Sequence, residues 1–400
     1  MESKHEENLL LLSEEEQLLR IARVNKYMAE AELDYILVGD NVNLYYLSGR
    51  VFCGYILVCS DGNADYFLRR PSTLKADGAV VYRKLEDMTN AVAEIIKKKP
   101  GRLGMMLDDT PYGVIQRLLK GLGGDIQPGN GSAVFRKARA VKTDLEIQQM
   151  EMSGIKQTQV YRKIPHLYRE GMTDIEFQIE IERALRLEGS LGQFRCSGAE
   201  MEIYMGNVLT GENADTPSPY DFAMGGAGMS PSLPVGANGT IIKPGKPVMV
   251  DMNGNFTGYM TDMTRCYVAG NPDEVVVKAN QLSIDICRRL SEMMLPGVEA
   301  KVLYQIAEEM VKEAGMECYF MGHSHQAGFV GHGVGITINE LPVIAPRSRD
   351  ILNVGNCIAL EPKFVIPGQG AVGVENTYVV QAQGPARRLT NAPEDIQSLT

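Results

Sequence analysis

Two apolar hairpin segments, each carrying an acid on both of its strands, constrain this chain more than any other feature. Residues 248–268 read VMVDMNGNFTGYMTDMTRCYV, with Asp251 inside the first apolar run and Asp262 inside the second. Asn253-Gly254 and Thr257-Gly258 supply turn residues between them. Residues 358–380 repeat the arrangement as IALEPKFVIPGQGAVGVENTYVV, with Glu361 on one run and Glu375 on the other, around Pro367-Gly368 and Gly370. Pairing within each hairpin brings two carboxylates together among hydrophobic neighbours. Like charges that close repel, and burial strips their hydration, so something must offset both costs. A chain with two such hairpins needs cations where they meet.

A histidine completes the set. His332 lies in GFVGHGVGIT, where small neighbours let backbones approach closely. Four carboxylates and one imidazole make a hard, oxygen-rich cage suited to Mn²⁺, Fe²⁺, Co²⁺ or Zn²⁺. Four negative charges also match two divalent cations. Taken singly, an acid near a hairpin turn is usually solvated or capping, and a lone histidine in a Gly-rich segment is usually a turn or core residue. The coincidence of all five in two matching strand contexts carries the assignment.

Around these segments the pattern divides near residue 140. Residues 14–32 have the periodicity of an amphipathic helix, and YILVG from Tyr35, YILVCS from Tyr55 and AVVY from Ala79 read as short strands. This alternation predicts an N-terminal α/β domain over residues 1–140. GLGG at 121–124 lacks the spacing and lysine of a phosphate loop and reads as a turn. Residues 138–165 are charged and periodic, with Gly154 the one glycine, and predict a long helix opening a second domain over residues 141–400. Thr173 with Glu176 forms a capping box for a helix running toward Gly189. Residues 206–245, rich in Gly, Pro, Ser and Asn, predict few regular elements and a segment that wraps a site. Helices are expected over 272–294 and 298–315, and a Gly-rich β region over 322–380.

Composition narrows the partners. A net charge of -10 argues against a phosphate backbone as ligand, since that needs a basic surface. No stretch reaches the length of a bilayer span, and MESKHEENLLLLSEEEQLLR has neither the basic start nor the long apolar run of a secretory leader. Seven scattered cysteines without a CxxC pair suit a reducing compartment. A cytoplasmic location without membrane or nucleic-acid partners is the expectation.

At VDMNGNFTGYMTDMTR, GHGVG and EP…VEN the sequence resembles the pita-bread metallohydrolases, the family of prolidase, aminopeptidase P, methionine aminopeptidase and creatinase. NLYYLSG at 43–49 and ARAVKTDLEI at 138–147 are also similar to family segments, so the likeness extends over the whole chain. It implies an α+β fold, with an N-terminal α/β creatinase-like domain followed by a C-terminal pita-bread domain of curved antiparallel sheet and flanking helices. It implies two divalent ions, Mn²⁺ foremost. Asp251 would bind one through both oxygens, Asp262 and Glu375 would bridge the pair, and His332 and Glu361 would complete the ligand set of the second ion. Water between the ions would be acidified to hydroxide and attack a peptide bond next to proline in a short peptide, with Glu361 shuttling the proton. A homodimer is also implied.

Some family positions differ here. Val235 in SLPVG and Asn339 in GHGVGITINELP stand where the peptidases carry histidines; Gly328 stands where prolidase and aminopeptidase P commonly carry one. Gly373 occupies a position that is often arginine. Asn339 can still donate a hydrogen bond to an oxyanion, and His323 and His325 in GHSHQAG are candidates to line the pocket. Tyr259 and Arg265, flanking Asp262, fit packing and ion-pair roles equally. The leading expectation is an Xaa-Pro dipeptidase or aminopeptidase. The alternatives are a related C–N hydrolase of a small non-peptide amide or amidine, and a catalytically inactive binding protein.

Overall fold

The computed structural model describes residues 7–124, 126–196, 203–220 and 225–400. The chain separates into two compact units, Met1–Arg139 and Ala140–Thr400.

The first unit alternates α1 (Glu14–Glu30), β1 (Tyr35–Val38), α2 (Asn41–Ser48), β2 (Cys53–Cys59), β3 (Ala64–Arg70), β4 (Val80–Val81), α3 (Leu85–Lys98), β5 (Leu103–Met105), α4 (Tyr112–Leu122), β6 (Gly129–Asn130) and α5 (Ser132–Ala140). Its sheet has the order β4-β3-β2-β1-β5-β6, antiparallel from β1 through β3 and parallel from β1 through β6. Central β1 is buried at every position, which is why YILV reads as an unbroken apolar run rather than an alternating one. Leu37, Leu57, Phe67, Val92, Leu103 and Ile115 meet in one core between the sheet and α3 and α4. The strand expected at Ala79 shrinks to the two exposed residues of β4. At GLGG, Gly121 and Leu122 still belong to α4, and the helix ends on Gly123 at φ 121°, a conformation open to glycine.

The second unit contains α6 (Asp144–Tyr161), α7 (Asp174–Leu187), β7 (Gly206–Thr210), β8 (Pro247–Asn255), β9 (Met260–Val268), α8 (Glu274–Met293), α9 (Ala300–Glu313), β10 (Gly331–Gly333), β11 (Glu340–Ile344), β12 (Cys357–Leu360), β13 (Lys363–Ile366), β14 (Gly370–Gly373), β15 (Asn376–Val379), β16 (Arg387–Arg388) and β17 (Gln397–Ser398). The strands form a sheet ordered β17-β9-β8-β7, a second ordered β11-β10-β12-β15-β16, and the β13-β14 pair. Phe177, Ile181 and Leu185 of α7 pack on Val208, Val250 and Met263 of the first sheet. Ile286 and Leu290 of α8, with Leu303 and Ala307 of α9, pack with Ile358, Leu360, Phe364 and Val372. Each sheet is thus covered by its own helices, the expected pita-bread layering.

Three details differ from the sequence expectation. The long helix over 138–165 is divided, because Thr143 interrupts it as an N-cap. Its hydroxyl accepts from Glu146 N at 3.2 Å, and the Glu146 carboxylate accepts from Thr143 N at 2.8 Å. In the segment 206–245, β7 is a fully buried strand that pairs along β8, although residues 221–224 lie outside the described residues. In the first hairpin, Asn253 and Gly254 are not turn residues but strand partners of Asp262 and Thr261. The Thr173–Glu176 capping box forms as the spacing predicts, with reciprocal bonds of 3.2 and 2.8 Å.

Gly154 of α6 shows how tightly the helix sits on its sheet. A Cβ there would lie 2.3 Å from the Leu389 carbonyl oxygen. Alanine would raise helix propensity by up to about 1 kcal/mol, yet the clash dominates. We expect Gly154→Ala to destabilise the chain by about 1–3 kcal/mol in urea unfolding; an unchanged or raised midpoint would contradict this packing.

Candidate metal centre

The register of the first hairpin sets the first half of the site. Asp251 faces Thr264 and Asn253 faces Asp262, so alternation puts both aspartates on one side of the β8–β9 ribbon, one diagonal step apart. Behind Asp251, Gly206 of β7 adopts φ 145°, and a Cβ there would sit 2.1 Å from the Asp251 carbonyl oxygen. Asp262 is buried and Asp251 half-buried.

The second hairpin is not continuous where its acids lie. Glu361 and Pro362 separate β12 from β13, and Val374 and Glu375 separate β14 from β15. At this break the acids' amides bond outside their own hairpin: Glu361 N donates to Val330 O at 3.0 Å, and Glu375 N to Thr264 O at 3.2 Å. Ser283 of α8 straps the break, its hydroxyl donating to Pro362 O at 2.5 Å and accepting from Val374 N at 2.8 Å. Gly373 fits the same bend at φ 150°, where a Cβ would press to 2.8 Å from Pro362 O.

Arg265, fully buried, clamps the two hairpins. It donates to the carbonyls of Thr264 and Glu375 at 2.6 and 2.8 Å, and to Asn376 Oδ1 at 2.7 Å. Thr377 Oγ1 adds a second tie, donating to Asp262 O at 3.0 Å and accepting from Asp262 N at 2.9 Å. His332 enters from β10, between β11 and β12. Its Nδ1 donates to Gly333 O at 3.0 Å, which points Nε2 at Glu361 Oε1, 3.2 Å away.

Sequence reasoning missed Lys363. Its side chain is completely buried, and its Nζ donates to Asp251 Oδ2 at 2.8 Å, Glu361 Oε2 at 2.7 Å and Glu375 Oε2 at 3.1 Å. The signal was available. A lysine two residues after Glu361, inside an apolar strand, is almost never buried without a partner.

The electrostatics follow from this packing. Burial would raise Glu361, but Lys363 and the His332 hydrogen bond overcome it and hold the carboxyl down at about 2. Burial and then Asp251 push Asp262 up to about 7. Burial and Asp262 likewise raise Glu375 well above the carboxylate range. Burial opposes charge on His332, yet Glu361 prevails and lifts it to about 9. Lys363, despite burial, is held well above its usual range by Asp251, Glu361 and Glu375.

One ligand atom each from Asp262, His332 and Glu375 lies within 4.8 Å of the others. Glu375 Oε1 is buried there without a hydrogen-bond partner, while Oε2 accepts from Thr264 at 2.7 Å. An unpartnered carboxylate oxygen beside an imidazole and a second acid fits a divalent ion. Beside Asp251 the positive charge is the Lys363 ammonium.

His323 is exposed and bonds Cys318 O at 3.1 Å. His325 is exposed and lines a small pocket with Asp215, Tyr220 and Gly322. No hydrogen bond joins either to the acids among the described residues. Asn339 is half-buried just before β11, Val235 is buried, and Gly328 is exposed with open space where a Cβ would project. Tyr259, buried, donates to Glu146 at 2.9 Å and faces α6 rather than the acids.

Residues 148–382 match metallopeptidase family M24, and residues 20–141 match the creatinase/prolidase N-terminal domain. An Xaa-Pro dipeptidase of Pyrococcus horikoshii is 26% identical over 384 residues, spanning 94% of this chain and 98% of that one. Among solved structures, the prolidase from Pyrococcus horikoshii covers 95% of this chain at TM-score 0.75 and 23% identity, with 99% of its own chain matched. The Xaa-Pro dipeptidase from Bacillus anthracis covers 96% at TM-score 0.77 and 22% identity, with its whole chain, 100%, matched. A creatinase-type first unit and a pita-bread second unit, whose two hairpins converge acids on a histidine, define a hydrolase of the prolidase and creatinase type. The chain belongs to metallopeptidase family M24 and is a peptidase.

The titrations give a sign. A group raised in the fold stabilises below its unfolded value and loses that contribution as pH rises through its folded one. Asp262 therefore loses its contribution from about 4 up to about 7, and His332 from about 6.5 up to about 9. Glu361, depressed to about 2, keeps its contribution across that window. With chelator present, the thermal midpoint should fall as pH goes from about 6 to about 9. Mn²⁺ should stabilise more at the upper end, because ligands must be deprotonated to bind it. A chelated midpoint that climbs with pH would refute this account of the acids.

Proposed function

We propose that this chain hydrolyses the peptide bond next to proline in short peptides, as an Xaa-Pro dipeptidase or aminopeptidase. The observation that carries the reading is the meeting of Asp262, His332 and Glu375 donor atoms within 4.8 Å, with Glu361 on the imidazole. We assign the ion as Mn²⁺ and the working form as a cytoplasmic homodimer, by likeness to the family. The names of the relatives support the choice of an Xaa-Pro bond.

A divalent ion held there supplies Lewis acidity that activates water and polarises the scissile carbonyl. The chain's own residues supply the rest. Glu361, ionised and fixed through one oxygen by Lys363, takes the proton of the attacking water and passes it to the leaving nitrogen. That transfer is required because the peptide nitrogen leaves as an amine only once protonated, and an Xaa-Pro nitrogen carries no hydrogen of its own. Thr264 and Arg265 hold Glu375 in place through its carboxylate and its carbonyl.

A second reading, hydrolysis of a small non-peptide amide or amidine, is favoured by one observation. Val235, Gly328 and Asn339 provide no imidazole at positions where the peptidases carry histidines. Rates on Ala-Pro and Met-Pro, on Xaa-Pro-Yaa peptides and on non-proline amides, all at controlled Mn²⁺, separate the two. We expect Xaa-Pro cleavage, and Glu361→Gln should lower kcat about a hundredfold or more with little change in KM. Turnover of non-proline amides alone by the metal-loaded protein would overturn the peptidase assignment in favour of the second reading. Loaded protein that cleaves nothing would point to a binding role.

A further inference from the structure

We propose that Lys363 is a built-in cation standing in for one of the family's two metal ions, so that this chain binds a single divalent ion at Asp262, His332 and Glu375. The inference rests on reading the centre as a metal site. It departs from the two-ion expectation carried by the family likeness.

The argument is geometric. A divalent ion ligated by Asp251 and Glu375 would lie about 2.0–2.6 Å from their oxygens. Lys363 Nζ already occupies that space, 2.8 Å from Asp251, 3.1 Å from Glu375 and 2.7 Å from Glu361. The ammonium is not a surface group that swings aside. Lys363 opens β13, its backbone is paired with Gly373, and its carbonyl accepts from Met321 N at 2.8 Å. Its side chain is entirely enclosed, so leaving would carry a charge through packed protein.

Charge points the same way. With Lys363 in place, the four carboxylates Asp251, Asp262, Glu361 and Glu375 keep a net charge of three negative, and one divalent ion reduces this to a single negative. A second divalent ion would make the centre positive and press two cations together in a largely buried site, where repulsion is stronger than in water. Of the three members of the remaining ligand cluster, Asp262, His332 and Glu375, only Glu375 touches Lys363.

The chemistry this implies is asymmetric. An ammonium donates hydrogen bonds but accepts no lone pair, so Lys363 orients Asp251, Glu361 and Glu375 without acting as a Lewis acid. It is a positioning residue.

The full-length chain, loaded with excess Mn²⁺ and desalted, should retain about one equivalent per chain by elemental analysis and calorimetric titration. Its electron paramagnetic resonance spectrum should be that of an isolated Mn²⁺. Lys363→Ala should rise to about two equivalents and show the spectrum of an exchange-coupled pair. Two equivalents or a coupled spectrum in the unaltered chain would overturn the proposal whether or not the variant folds, as would a folded Lys363→Ala that still holds one. Protein that binds no ion at all would defeat it together with the metal-centre reading. One tightly held ion without Xaa-Pro cleavage would support it and count against the activity alone.

Discussion

Bringing carboxylates together out of water is costly, and the second unit is organised around meeting that cost. Each buried ion carries a desolvation penalty of several kcal/mol that only close opposite charge and hydrogen bonds recover. Asp262, Glu361 and Glu375 are all buried, and Asp251 is half-buried beside them. Lys363 answers part of the charge from within the chain, and a divalent ion answers most of the remainder. The strand break at Glu361-Pro362, the enclosed Lys363 and the left-handed backbone at Gly373 all follow from the need to aim side chains at one point.

The surrounding scaffold has one task, to keep the two hairpins in register. Neither hairpin alone contains a complete site, so the ties between them decide the geometry. Arg265 reaches from β9 to the backbone of Glu375 and the side chain of Asn376, and Thr377 reaches back to Asp262. Ser283 holds the break from the helix side. These are fixed donors on rigid elements, and rigidity of this kind is what a precisely placed centre requires.

Much of this was legible in the sequence, for physical reasons. Acids inside apolar strands are rare enough to mark Asp251, Asp262, Glu361 and Glu375, and the flanking glycines mark His332. Capping chemistry is local, so Thr173 with Glu176 announced its helix. Other features were hidden because they depend on tertiary partners. The strand at 206–210 is short and glycine-led, and it is stabilised by β8 rather than by its own propensity. The turn of the first hairpin slid past Asn253-Gly254 because pairing of Asn253 with Asp262 outweighs the local turn preference. Lys363 carries a local mark, a lysine inside an apolar strand, but the three carboxylates that hold it come from separate segments and meet only in the fold. The exposed positions of His323 and His325 could not be read from their nearness in sequence to His332.

The tether on Lys363 has a further meaning. A free ion comes and goes with its concentration, whereas a charge on a side chain is present at fixed strength from the moment the fold forms. The pocket therefore keeps much of its shape when its surroundings are poor in metal, and scarcity removes reactivity before it removes architecture. In this chain, starvation for metal would leave a poised scaffold rather than a collapsed one.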